Sequence, residues 1–186
     1  MKIIVYCGAS SGNDPIYLQT TEKFGKWIAE NDHTLIYGGG KVGLMGTIAD
    51  TVLKNHGKVI GVIPSFLIER ELAHPQLTEM LIVQSMAERK QKMLELGDAC
   101  IALPGGPGTL EEITEMISWA RVGQNENPCV LFNEKGFYDP LKNLYDSMVE
   151  NQFLTPEDRS KTLFSNSLSE IDHFIHNYTP PFVRNY

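Results

Sequence analysis

Short apolar runs alternate with longer amphipathic segments along the chain. Residues 2–7 are apolar after the first position and β-branched at Ile3, Ile4 and Val5, the pattern of a strand buried on both faces. Similar runs predict strands at 33–37, 59–63, 80–83, 99–103, 128–132 and 162–164. Between them, helical patterns cover about 15–31, 44–55, 86–96, 110–122, 138–151 and 169–178. The first of these buries Leu18, Phe24, Trp27 and Ile28. Its start is marked by Asn13-Asp14-Pro15, an N-cap followed by proline in the first turn. Ser85 and Glu88 stand in capping-box spacing, and so do Thr109 and Glu112. Residues 65–80 fit neither period. Glu69-Arg70-Glu71 is charged and His74-Pro75 disfavours a continuous helix, so a partly helical connection over the open side of the sheet is expected.

Strands and helices that alternate with short links and no internal repeat define an α/β fold. The expectation is one Rossmann-like domain over 1–186, a doubly wound, mostly parallel sheet flanked by helices on both faces. Ligands of such sheets bind outside the carboxyl ends of the strands. Three glycine-rich turns fall at that edge, after the first, second and fifth strands. They contribute Gly8 and Ser10, then Gly39, Gly40 and Met45, then Pro104 to Gly108. Their convergence points to a nucleotide-sized pocket.

Composition narrows the ligand. With 186 residues and a net charge of −7, the chain lacks the basic footprint of a nucleic-acid binder, while local amides and a few cations can still hold a small anion. The N-terminus reads as a strand without a signal-peptide core, and no apolar run reaches the ~20 residues of a membrane helix. A cytoplasmic protein with no membrane contact is expected. Cys7, Cys100 and Cys129 have neither disulfide nor zinc spacing and read as buried hydrophobes. Cys7, at a strand end beside the expected pocket, keeps a small chance of accessibility.

The chemistry-bearing motifs carry unequal weight. Gly38-x-Gly40-x-x-Gly43 matches a dinucleotide fingerprint, but it follows the second strand. The third strand ends in Ile63-Pro64-Ser65, without the carboxylate that grips a ribose, so a redox dinucleotide is disfavoured. Lys41 reads equally as an anion contact or a solvated loop lysine. Gly105, Gly106 and Gly108 remove three Cβ atoms from a turn that opens a helix, and its free amides and dipole suit an anion. In the preceding helix, Met86, Met93, Leu94 and Gly97 share a face with Lys90 among them and Arg89 at its edge. Two cations in the first turns oppose the helix dipole, which favours an anion clamp for Arg89 and leaves Lys90 open between clamp and snorkel. In the next helix, Leu110, Ile113, Met116, Ile117 and Ala120 form the core stripe. Trp119 and Val122 lie off it, as a subunit contact or pocket wall would. Ser118 stands roughly 13 Å along the axis from Thr109, so it suits a ligand's far end or a partner's site.

Pro104-Gly105-Gly106-Pro107-Gly108-Thr109-Leu110-Glu111-Glu112, with Arg89-Lys90 upstream, resembles the LOG family, the cytokinin riboside 5′-monophosphate phosphoribohydrolases once labelled lysine decarboxylases. The likeness runs through Tyr6 to Ser11, Tyr37 to Gly40, Gly43 to Gly46 and Gly61 to Pro64, and fades after about Phe153. The resemblance implies hydrolysis of the N-glycosidic bond of adenosine 5′-monophosphates, including N6-modified ones, without metal or organic cofactor. It places the catalytic pair on Arg89 and Glu112. It places substrate contacts on Glu71, Lys90, Gly105, Gly106, Pro107, Gly108, Thr109, Leu110, Glu111 and Ser118. Ala87 and Pro107 depart from common family residues and bear on base preference. Family members are generally dimers, so a homodimer is expected. The competing readings are a non-catalytic nucleotide-binding module with Glu112 only as a cap and, more weakly, a dehydrogenase that binds NAD(P).

Overall fold

A computed structural model of the chain describes residues 1–68 and 73–183. Seven strands, β1 (Lys2–Tyr6), β2 (Thr34–Tyr37), β3 (Lys58–Pro64), β4 (Glu79–Val83), β5 (Ala99–Ala102), β6 (Cys129–Phe132) and β7 (Thr162–Ser165), form one sheet. Every pairing is parallel, in the order β4-β3-β2-β1-β5-β6-β7. The helices are α1 (Pro15–Glu30), α2 (Gly43–Lys54), α3 (Met86–Leu96), α4 (Pro107–Arg121), α5 (Asp139–Glu150), α6 (Pro156–Ser160) and α7 (Leu168–His176). Among the described residues no helix is long and apolar enough to cross a membrane.

The two-residue period of the strands sorts the core into two layers. Ile3, Val5, Leu35 and Tyr37 face α1, α2 and α7, where they meet Phe24, Ile28, Ile48 and Ile171. Ile4, Tyr6 and Ile36 face the opposite way, into a layer with Met93 of α3, Ile113 and Met116 of α4 and Tyr145 of α5. The chain builds outward from β1 to β4 and then returns to β5 on the other side of β1. That reversal creates a crevice between the carboxyl ends of β1 and β5.

Capping decides where several helices begin. Asp14 accepts from the Ile16 amide at 2.9 Å, with Pro15 as the first helical residue. Ser85 accepts from the Glu88 amide at 3.1 Å, and the Glu88 carboxylate reaches back to the Gln84 amide at 2.7 Å. At α4 the expected Thr109–Glu112 capping box does not form. The helix starts at Pro107, three residues early, with Gly106 as a cap that offers no side-chain bond. Proline suits that first position because it has no N–H to leave unsatisfied. Thr109 is therefore the third residue of the helix and Glu112 lies in its second turn.

The 65–80 connection opens with a 3-10 turn, Ser65–Leu67. After the charged stretch, which lies outside the described residues, Ala73 forms an antiparallel bridge to Gly40, and the His74 amide donates to Gly39 O at 2.9 Å. The buried His74 ring is held at both nitrogens, by Asp50 at 3.0 Å and by the Gln76 amide at 3.2 Å. These contacts pin the connection to the second glycine turn. α6 was not expected. It is a five-residue helix capped by Thr155, whose hydroxyl accepts from the Asp158 amide at 3.1 Å.

Candidate active site

The site is built where β1 and β5 release the chain. Their turns pack directly on each other, with the Gly8 amide donating to Pro104 O at 3.1 Å. A Cβ on Gly105 would stand 2.2 Å from Thr109 Oγ1 and 3.0 Å from the Gly8 nitrogen, so only glycine allows this approach. Gly106 and Gly108 differ. A Cβ on either would meet nothing within 4 Å, so their backbone faces open space. That space is a cleft of about 260 Å³. Its walls are the end of β1 from Val5 through Ala9, Gly38 after β2, and Met45 of α2. Met86 and Arg89 of α3, with Gly106, Gly108, Thr109 and Glu112 from the start of α4, complete it.

Two side chains of the charged residue types line the cleft while being almost fully buried, Arg89 at 5% exposure and Glu112 at 8%. The sequence pattern put Lys90 on the buried face of α3 and Arg89 at its edge. The fold reverses this, because Arg89 and Met93, one turn apart, are the buried residues of α3. Arg89 Nη1 lies 3.8 Å from Met86 Sδ, and Nε has no hydrogen-bond partner among the described residues. A buried guanidinium short of partners is costly unless an anion compensates it. Cys7 registers both charges. Burial pushes its thiol well above the ordinary range, the Glu112 carboxylate pushes it further, and Arg89 opposes. Cys7 is therefore a buried, protonated thiol, and its small chance of accessibility is not realised; Cys100 and Cys129 are free and buried as well.

Lys90 is occupied elsewhere. Its ammonium pairs with Glu111 and, at 2.5 Å, with Glu115, which ties α3 to α4 beside the cleft rather than inside it. Burial opposes its charge, but the two carboxylates outweigh burial and raise its pKa. Of the remaining candidates, Gly8, Met45, Gly106, Gly108 and Thr109 line the cleft, whereas Gly105 packs against Gly8 and Thr109 and lines a neighbouring cavity instead. Pro107, Leu110 and Glu111 are exposed at the helix start, and Leu110 drops out of the core stripe assigned to it. Ser10 lines an adjoining cavity of about 340 Å³ together with Tyr17, Leu44 and Phe137. Gly39 and Gly40 hold structure instead. Their carbonyls accept from the His74 amide and, at 3.0 Å, from the Tyr37 hydroxyl. Ser118 is on the far side of α4, in a separate cavity of about 110 Å³ beside Arg121 and Tyr178. Lys41 is exposed and outside the cleft, and Glu71 lies outside the described residues. Gly38, noted in the sequence only as part of a glycine fingerprint, and Met86, noted only on the apolar face of its helix, also belong to the cleft. Met86 stands one turn before Arg89, a spacing that could have found it.

A crevice at the switch point of a parallel sheet, walled by turn backbone and holding a buried cation and a buried carboxylate, defines the class. This is a doubly wound α/β protein whose ligand site is made largely from main chain. Comparison with known proteins is more specific. A family model described as possible lysine decarboxylase matches residues 45–173. A cytokinin riboside 5′-monophosphate phosphoribohydrolase of Rhodococcoides fascians is 45% identical over 163 residues, 87% of this chain and 82% of that one. Another of that name, from Arabidopsis thaliana, is 38% identical over 179 residues, 96% of this chain and 84% of its own length. The chain belongs to this family. Among solved structures, the molybdenum cofactor carrier protein of Chlamydomonas reinhardtii superposes with a TM-score of 0.70 at 17% identity, covering 95% of this chain and 98% of that one. That likeness is one of fold.

Proposed function

We propose that this protein hydrolyses the N-glycosidic bond of adenosine 5′-monophosphates, N6-modified ones included, to give the free base and ribose 5′-phosphate. The observation that carries the reading is the placement of Arg89 and Glu112. They come from different helices, are buried, and line one cleft beside turn backbone left open at Gly106 and Gly108. The reading of Glu112 as only a cap loses its basis, since α4 begins five residues earlier.

Each part then has a task. The α4 start has no side-chain cap, so its amides and the positive end of its dipole are available to a 5′-phosphate. As the bond to the base lengthens, the ribose gains oxocarbenium character, which the Glu112 carboxylate stabilises or exploits by orienting water. Water adds to C1′ and the base leaves with a proton. Arg89 fixes the phosphate or holds Glu112 in place. Lys90 acts through Glu111 and Glu115, which it holds at the rim. The molecule is further read as a homodimer through the outer face of α4, where Val122 is 57% exposed, and as a cytoplasmic protein in keeping with its three free thiols.

The test is chromatographic detection of free base from AMP, N6-isopentenyl-AMP and the matching ribosides. Monophosphates are expected to release base and ribosides to react poorly. Glu112→Gln and Arg89→Ala should each lower kcat/KM by about 10²–10³-fold. Undiminished release by Glu112→Gln would remove that residue's role, and no release from any nucleotide would remove the activity.

A further inference from the structure

We infer that Gly38 is a positioning residue for Arg89, setting the guanidinium in the cleft by leaving a void into which it fits. A Cβ built on Gly38 would stand 1.8 Å from Arg89 Nη2 and 3.0 Å from its Cζ. No other described glycine brings an added Cβ so close to a charged group of the cleft. The backbone does not require glycine here, because φ at Gly38 lies outside the left-handed region, unlike Gly39 at +82°. Alanine is conformationally allowed, and only the guanidinium excludes it. The surroundings leave that group little choice of place. Met86 Sδ receives Nη1 on one side, Met45 Sδ lies 3.3 Å from the same Cβ position, and Arg89 is buried.

The atom that must move is the far end of a long side chain, so alanine disturbs the site more than the fold. Gly38 opens the turn after β2 and Arg89 is on α3, so a turn distant in sequence sets the aim of the cation. The functional consequence rests on the phosphoribohydrolase reading, since it matters only if Arg89 acts on the substrate. A displacement of about 1 Å at a reacting centre can cost about 10²-fold.

The experiment is a double-mutant cycle on kcat/KM for base release from AMP, joined to crystal structures of the wild type and Gly38→Ala. Gly38→Ala should fold with a near-native Tm, lose about 10²-fold mainly in kcat, and show the guanidinium displaced. In an Arg89→Lys background, which has no Nη2 to collide, the same alanine should cost less than about 3-fold. Equal costs in the two backgrounds, full activity of Gly38→Ala, or an unmoved guanidinium would overturn the assignment. A wild type inactive on every nucleotide would count against the activity alone, with the structures still deciding the seat.

Discussion

Arg89 and Lys90 are adjacent cations near the start of α3, where the dipole disfavours both, and they resolve the conflict in different ways. Lys90 is neutralised by two carboxylates of α4. Its folded pKa is raised, burial opposing and the Glu111 and Glu115 pairs outweighing it. A raised lysine pKa means stabilisation that is complete below the unfolded value of about 10.4 and lost as pH rises through the folded value. Lys90→Met should therefore cost on the order of 0.5–1 kcal/mol at pH 7, and its Tm deficit should shrink as pH rises past the unfolded lysine value toward the raised folded one. A deficit independent of pH would point to lost packing instead. Cys7 offers a second measurement. With its thiol pushed up by burial and Glu112, thiol reagents at pH 8 should label the native protein slowly and all three cysteines at once in denaturant. Arg89 was legible in sequence because a cation there lacks a local reason. The void at Gly38 was not, since its need comes from a side chain 51 positions later.

At the scale of elements, strand runs and caps were the readable part. Asp14-Pro15 and Ser85 mark starts that the fold keeps, because a cap needs only its own first turn. Ser85→Ala should cost about 1 kcal/mol and lower Tm by about 2–4 °C, as thermal unfolding would show. The start of α4 was misread for a physical reason. Pro107 and Gly108 are poor helix formers in an interior, yet at the first two positions neither penalty applies in full. Thr109 looked like the better cap only when its neighbours were judged as interior residues. α6 escaped notice because five residues carry too little periodicity to register.

For the whole molecule, alternation of strand and helix was enough to specify a parallel sheet with helices on both faces. Three glycine turns at one edge located the crevice. What alternation does not contain is which strands become neighbours. β1 pairs with β5, aligning Ile3 with Ala99, and only this return brings the first and third glycine turns into contact. The same return places α4 on the face opposite α1, α2 and α7. If its outer side is the subunit contact, sedimentation should give twice the chain mass, and Val122→Glu should shift the protein to monomer. A wild-type monomer at working concentration would remove the homodimer from the reading.

Gly38, Gly106 and Gly108 look alike in the sequence, yet the emptiness beside them belongs to different owners. The volume at Gly38 is already filled by the protein's own guanidinium, while that at Gly106 and Gly108 stays vacant in the folded chain. An alanine scan, which deletes atoms nearly everywhere else, adds one at each of these three. The added methyl at Gly38 is felt before any ligand arrives. At Gly106 or Gly108 it should be silent until a nucleotide competes for the same space. Measuring the ligand-free protein and its complex side by side would thus separate room kept for the molecule itself from room kept for its guest.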